Sequence, residues 1–490
     1  MKKVLFVAYQ FPPMGGSGVQ RSMKFVKYLP DFDWTPVVLT RKVGQMALMD
    51  DSMLKELPAD TCIFRTPSWD LTELPSVLSL AGKVVARKIL IPDGERLWQF
   101  ACFNEAKKII KQNSISLIYT TSYPYSSHLL GLALKKHFQH IPWVADFRDE
   151  WTNNPYLIDN PRNFIRTSIE RRMEKKVLTG ADRLIANTPV MMENFIKLYE
   201  DAGYESKGKF SCIPNGFDDE DFVGLVAVEK ADPDYKKSEH TGAVENTKAY
   251  ENDRYAENSE NCGNAINAIN AINAGNIGYA EITGNTKDIG SAANRPFTIT
   301  YTGAFYGRRQ PDVFFSAVSS LIKQGLIPES MIKIKLIGNF KTEKLKAQIS
   351  KYGLDSVVEL LSYMPHRQCL KELIDSDALA LIEGKGPGGG AFYTGKIFEY
   401  MNTGRPVLGI IPKPGAAAGL LEDTGTGLAS DAGDEAGAAA NLLALYKSFR
   451  DGLPLLKPDL YKIRRFERRS LTRELAELFD NMIAYQKAGL

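Results

Sequence analysis

A rhythm that runs twice through this chain constrains its fold more than any single motif does. Short apolar runs alternate with longer amphipathic segments, first over residues 1–216 and again over 297–455. In the first half, Val4–Tyr9, Thr35–Thr40, Leu117–Thr121, Trp143–Phe147 and Arg183–Asn187 read as strands, with helices predicted at Val19–Leu29, Asn104–Gln112, Ser127–His137 and Phe164–Thr179. In the second, strands are predicted at Phe297–Thr302, Lys333–Ile337, Val357–Leu361, Ala378–Ile382 and Pro406–Ile411. The helices there are Pro311–Gln324, Thr342–Tyr352, His366–Asp375 and Lys396–Thr403. Parallel strands need a crossover between them, so this alternation predicts α/β architecture with doubly wound parallel sheets. Ligands of such sheets bind beyond the carboxyl ends of the strands.

The rhythm stops after Ile213-Pro-Asn-Gly-Phe217. Residues 223–296 are rich in Asn, Ala, Glu, Lys and Gly and contain the repeat Asn264-Ala-Ile-Asn-Ala-Ile-Asn-Ala-Ile-Asn273. That composition predicts a mobile low-complexity insert within a linker spanning 217–296. The tail, 456–490, carries a long amphipathic helix, Ile463–Gln486. Two Rossmann-like domains joined by a hinge would place a site in the cleft between them. Net charge is +3, too mild to argue for nucleic acid. Cys62, Cys102, Cys212, Cys262 and Cys369 are scattered, with no pair at ligand spacing, which fits a reducing, cytoplasmic compartment. The apolar start, Val4–Ala8, is too short for a signal peptide and reads as a buried strand. No apolar run reaches the length of a membrane span.

Four helices are predicted to begin with a basic residue: Arg21 after Gly15-Gly-Ser-Gly18, His128 after Leu117–Thr121, Arg308 and Arg309 before Pro311, and Lys396 after Gly395. A helix start is the positive end of its dipole, so a cation there costs about 0.3–1 kcal/mol. A bound phosphate at each would remove the conflict, because backbone N–H groups and the cation grip it together. The plain alternative is that these side chains bend away into water. Gly15–Gly18 fails the GxGxxG dinucleotide pattern, and no phosphate-binding GKS or GKT exists. Lys396 and Glu399 share a helix face, so Lys396 can meet a phosphate while Glu399 accepts bonds from a ribose diol. The alternative for that pair is a surface ion pair. The loop Gly384-Lys-Gly-Pro-Gly-Gly-Gly390 can wrap a pyrophosphate or a sugar. Asp146, Arg148, Asp149 and Trp151 mix charge and an aromatic ring at a strand end, which suits sugar hydroxyls; an Arg148 ion pair that braces the loop is the other reading. Asp31-Phe-Asp33 and Asp375-Ser-Asp377 match a DxD metal pattern but fall at the wrong end of their strands. The run Lys462–Arg469 holds five cations and one acid, which suits either an anionic membrane surface or a helix bridging back to the first domain.

In order along the chain, Tyr9-Gln-Phe-Pro-Pro-Met-Gly-Gly16, Trp143-Val-Ala-Asp-Phe-Arg-Asp149, Ile213-Pro-Asn-Gly216, Tyr301-Thr-Gly-Ala-Phe-Tyr-Gly-Arg-Arg309, Gly395-Lys-Ile-Phe-Glu-Tyr400 and Gly404-Arg-Pro-Val407 resemble glycosyltransferase family 4, within it the bacterial envelope and capsular polysaccharide enzymes. The resemblance spans both halves and excludes the insert. It implies a GT-B fold and a retaining transfer, with no metal or cofactor, from a UDP- or GDP-linked sugar to a glycan or lipid-linked acceptor, with peripheral contact at the inner membrane face. By the resemblance, Gly16 and Gly303 line the phosphate region and His128 contacts the transferred sugar. Arg309, with Arg308 beside it, and Lys396 hold the diphosphate and act in catalysis, and Glu399 holds the ribose. Ser362–His366, with Tyr363 and Met364, meets the base. Thr394, Gly395, Gly389 and Gly390 complete the donor side, and Arg21, Asp146, Arg148 and Asp149 the acceptor side. One departure stands out. Many members carry a second Glu eight residues before the ribose-binding one, and here that position is Ala391; backbone N–H groups of Gly389–Phe392 would orient the sugar instead. A nucleotide-sugar epimerase on the same scaffold and a non-catalytic binding protein are the other readings.

Overall fold

The computed structural model describes residues 1–43, 49–68, 89–154, 158–159, 161–225 and 295–487. The predicted insert 223–296, apart from 223–225 and 295–296, and Cys262 with it, lie outside the described residues.

Two all-parallel sheets form the framework. The first comprises β1 (Lys2–Val7), β2 (Trp34–Arg41), β3 (Cys62–Thr66), β4 (Leu117–Thr121), β5 (Trp143–Phe147), β6 (Arg183–Ala186) and β7 (Phe210–Cys212), in the order β3-β2-β1-β4-β5-β6-β7. The second comprises β8 (Phe297–Thr302), β9 (Ile332–Ile337), β10 (Val358–Leu361), β11 (Ala378–Ile382), β12 (Val407–Ile410) and β13 (Gly427–Ser430), in the order β10-β9-β8-β11-β12-β13. Strand order therefore reverses between β1 and β4 and between β8 and β11, the switch points where crossovers diverge and leave a crevice. The central strands are buried on both faces, and each sheet separates two apolar cores. That is why they read as continuous apolar runs.

In the first domain the helices are α1 (Ser17–Tyr28), α2 (Arg96–Asn113), α3 (Ser126–His137), α4 (Phe164–Gly180) and α5 (Pro189–Glu200). The second contains α6 (Asp312–Lys323), α7 (Thr342–Tyr352), α8 (His366–Ile374), α9 (Lys396–Asn402), α10 (Ala416–Thr424) and α11 (Glu435–Asp451). Local chemistry sets several starts. Asn163 accepts from the Arg166 backbone N–H at 2.8 Å to cap α4, and Thr188, followed by Pro189, accepts from Met191 at 3.0 Å to cap α5.

The tail corrects one expectation. Instead of one helix over Ile463–Gln486 there are two, α12 (Leu460–Arg464) and α13 (Arg468–Lys487). The break has a tertiary cause. The Phe217 N–H donates to the Phe466 carbonyl at 3.1 Å, and the Arg468 N–H donates to the Phe217 carbonyl at 2.8 Å. Gly216 lies so close to the Phe466 carbonyl that any side chain there would collide with it. Beyond the break, Leu471, Leu475 and Phe479 join Val4, Phe6, Phe25 and Trp34 in one core, so α13 closes the second face of the first sheet. The tail's cations are largely spent inside the chain: Lys462 pairs with Asp423 at 2.6 Å, Arg469 with Asp31 at 3.1 Å, and Arg464 with Asp219 at 2.5 Å. Among the described residues no helix is long and apolar enough to cross a membrane.

Candidate functional site

The carboxyl edges of the two sheets face each other. Thr188, just past β6, donates through Oγ1 to the Ala391 carbonyl past β11 at 2.5 Å, and Arg308, past β8, pairs with Asp159, past β5. The residues singled out from the sequence gather along these edges, in two groups of different character.

On the second domain, Lys396 is the first residue of α9. Its ammonium sits over the Tyr301 ring, 4.7 Å from the centroid, and against Gly303. Gly303 has φ of 115°, and a side chain there would run into the Lys396 ammonium, so the position favours glycine on two grounds. Among the described residues Lys396 has no hydrogen bond or ion pair. Burial, then the nearby Arg309, lower its pKa to about 8. Arg309 differs. Its Nε and Nη2 grip Glu383 at 3.0 and 2.5–2.6 Å, and Glu383, at the end of β11, is itself buried. Glu383 went unnoticed in the sequence, where a single acid before a glycine run carries no signal. It fixes Arg309 in place and offsets much of its charge.

Glu399 lies one turn into α9. It pairs not with Lys396 but with His366 at the start of α8, whose Nε2 is 2.9 Å from Oε1. Burial opposes charge on His366, yet the bond to Glu399 and that carboxylate's field carry its pKa up to about 8. Tyr363 and Met364 occupy the turn between β10 and α8, with Tyr363 exposed. The glycine loop has a different use from the one expected. Gly384 and Gly386 pack so closely on Arg308 that any side chain would collide with it, and Gly390 packs on the Pro414–Gly415 backbone. The glycines thus admit Arg308, whose Nη1 donates to the Pro387 carbonyl at 2.9 Å. Gly389 begins a single 3-10 turn ending at Ala391, and Thr394 and Gly395 lead into α9, with Gly395 as an N-cap that offers no side-chain acceptor.

On the first domain, the acceptor-side group turns inward, and three expectations need correction. Arg21 and Asp146 are 2% and 0% exposed. Arg21 Nε and Nη2 meet both Asp146 oxygens at 2.9 and 2.8 Å, and its remaining donors reach the carbonyls of Ile213 and Pro214. Tyr119 and Thr121 hydroxyls also donate to Asp146, at 2.6 and 2.8 Å. This pair has no unmet demand for an anion or a sugar. His128 is wholly buried: its Nδ1 is 2.9 Å from Thr120 Oγ1, its ring packs on Phe147, and burial lowers its pKa to about 3. It is therefore a neutral imidazole, not a cation opening a helix, and it touches no open surface. Arg148 braces the loop, but not through the ion pair that its second reading expected: Nε donates to Thr121 Oγ1 at 3.1 Å, Nη2 to Ser22 Oγ at 2.6 Å, and Nη1 to the Gly18 carbonyl. Its partners are neutral oxygens rather than a carboxylate. Gly16, with φ of 104°, and Asp149 stay exposed at this edge.

Residues 52–221 match the family model described as Glycosyltransferase Family 4. No curated protein sequence matches the chain. Among solved structures, sucrose-phosphate synthase from Thermosynechococcus elongatus superposes with a TM-score of 0.58 at 15% identity, covering 99% of this chain and 100% of that one. The α,α-trehalose 6-phosphate synthase of Burkholderia multivorans gives 0.57 at 10% identity, covering 99% of each. WaaG, a glycosyltransferase involved in lipopolysaccharide biosynthesis, gives 0.50 at 14%, covering 98% of each. At such identities the structural likeness speaks for the fold alone: the chain adopts the GT-B fold, and its residues 52–221 carry the match to Glycosyltransferase Family 4.

Proposed function

We propose that the protein is a retaining glycosyltransferase that moves a sugar from a UDP- or GDP-linked donor to a glycan or lipid-linked acceptor in cell-envelope polysaccharide synthesis. The observation that carries the donor half of this reading is the unpaired Lys396 ammonium beside Gly303, with Glu399 one turn deeper on the same helix. A half-buried cation with no ion-pair partner calls for an anion, and a diphosphate supplies one. Lys396 and the Glu383-anchored Arg309 would stabilise the charge that grows on the departing nucleoside diphosphate. Glu399, held by His366, would take the ribose hydroxyls, and the turn at Tyr363 and Met364 the base. The acceptor hydroxyl would approach on the face of the leaving phosphate, which can take its proton. On the acceptor side the exposed groups are Gly16 and Asp149; Arg148 shapes the loop from behind. Retention, the envelope role and metal independence are parts of the same proposal.

Thermal melts with UDP, GDP and their sugars test the donor half. A ligand at 100 times its Kd adds about 2.7 kcal/mol. The shift should vanish in Lys396→Ala; an equal shift in that variant refutes the role given to Lys396. Product anomers read by NMR decide retention, and turnover in excess chelator decides metal independence. Flotation with anionic liposomes tests peripheral contact with the inner membrane.

A further inference from the structure

We propose that the seam where the tail returns to the first domain is a second anion site, in which Arg468 grips a phosphate-class oxyanion apart from the donor cation Lys396. Arg468 is the first residue of α13, and its backbone is pinned by the N–H bond to the Phe217 carbonyl. Its side chain is only 7% exposed. Nη1 is shielded from solvent and has no hydrogen-bond partner, and among the described residues no carboxylate lies within ion-pair distance of the guanidinium.

The surroundings explain why no neighbour compensates it. Arg21 and Arg148 oppose its charge, while Asp218 and Glu399 favour it. Those acids are committed elsewhere. Asp218 lies 2.6 Å from Lys24 and takes the Tyr28 hydroxyl at 2.9 Å, Glu399 holds His366, and Asp146 is fully engaged by Arg21. Arg148 rests on neutral oxygens alone. The Arg468 guanidinium thus has no ion-pair partner among the described residues, and burial, then Arg21, lower its pKa to about 10. The helix start is not what lacks a partner, because Glu467 already accepts from the Ser470 N–H at 2.8 Å. The unmet demand belongs to the guanidinium, whose planar fork matches phosphate oxygens. The anion could be free phosphate or a phosphate borne by the acceptor. The site rests on the proposed function only in bordering the donor residues.

The test uses the full chain in chloride-free buffer, with melting temperature followed against inorganic phosphate, a hexose phosphate and UDP, for wild type, Lys396→Met and Arg468→Met. Inorganic phosphate should raise the melting temperature of wild type and Lys396→Met saturably. Its half-saturation should weaken at least about tenfold in Arg468→Met, the loss of one charge-assisted contact. Arg468→Met without phosphate should melt no lower than wild type, because an apolar chain replaces an uncompensated charge. If Arg468→Met melts far lower, Arg468→Lys decides, since it keeps the charge and loses the fork; an unchanged phosphate midpoint there overturns the proposal. So does a phosphate shift retained in Arg468→Met, or one lost in Lys396→Met alone. A hexose phosphate that saturates well below inorganic phosphate assigns the anion to the acceptor, and equal midpoints assign it to free phosphate. A wild type that answers phosphate but not UDP leaves this site standing and removes the donor reading.

Discussion

The two sheet edges that face each other treat charge in opposite ways. On the first domain, Asp146 is enclosed by Arg21, Tyr119 and Thr121, and every one of those bonds is internal. On the second, Lys396 stands unpaired, and the Glu399–His366 bond joins two side chains about one-third exposed. Both edges lie at a switch point, and both carry basic residues near helix starts. The difference is whether a carboxylate reaches the cation. Where one does, the ion pair is part of the scaffold; where none does, the cation is left without an ion-pair partner. Charge near a helix start is therefore a poor guide to binding until its partners are known.

The sharpest way to break this contrast is Asp146→Ala. It strands the Arg21 guanidinium in a site closed to water and should cost about 3–5 kcal/mol by urea denaturation, whereas Lys396→Ala should cost no stability. Equal effects would erase the distinction. Next, Lys396→Ala should weaken nucleoside-diphosphate affinity by about 1.5–3 kcal/mol, the worth of a charge-assisted bond, read by calorimetry. Binding in wild type should also fall as pH rises through about 8, because the ammonium is lost there; a flat profile to pH 9.5 would deny it the role. Gly303→Ala places a methyl group on Lys396 at a positive φ and should lower stability by about 1–3 kcal/mol while also weakening diphosphate binding. The smallest effect concerns His366. Its folded pKa lies above the ordinary value, so the pair with Glu399 stabilises fully below about pH 6.5 and fades as pH rises through about 8. Solvent screens this pair, and His366→Gln should cost under about 1 kcal/mol at pH 6 and nothing at pH 9.5.

Most of the framework was legible. β1, β4, β5, β8 and β11 lie within a residue or two of the apolar runs that announced them, because strands buried on both faces have no polar alternation to blur them. β3, β7 and β13 escaped notice: they are short edge strands whose residues are mostly only part-buried, so their sequences carry a weak apolar signal. The start of α2 was placed at Asn104 rather than Arg96, since Arg96-Leu-Trp-Gln offers no capping residue to mark it. The site was legible as a set of positions and much less so as a set of roles. Nothing local distinguishes Arg21 from Lys396. Asp146 lies 125 residues from Arg21, and Glu383 lies 74 residues from Arg309.

What the sequence determined by itself was periodic and local: two parallel sheets, the glycine turns at their edges, and the helix face shared by Lys396 and Glu399. Those follow from backbone geometry within a few residues. What only the tertiary structure decided was which charges are spent and which remain. Pairing depends on approach between distant segments, and burial multiplies the consequence of a missing partner. The same folding step broke the tail at Phe466, where the chain crosses Gly216, and left Arg468 enclosed without an acid.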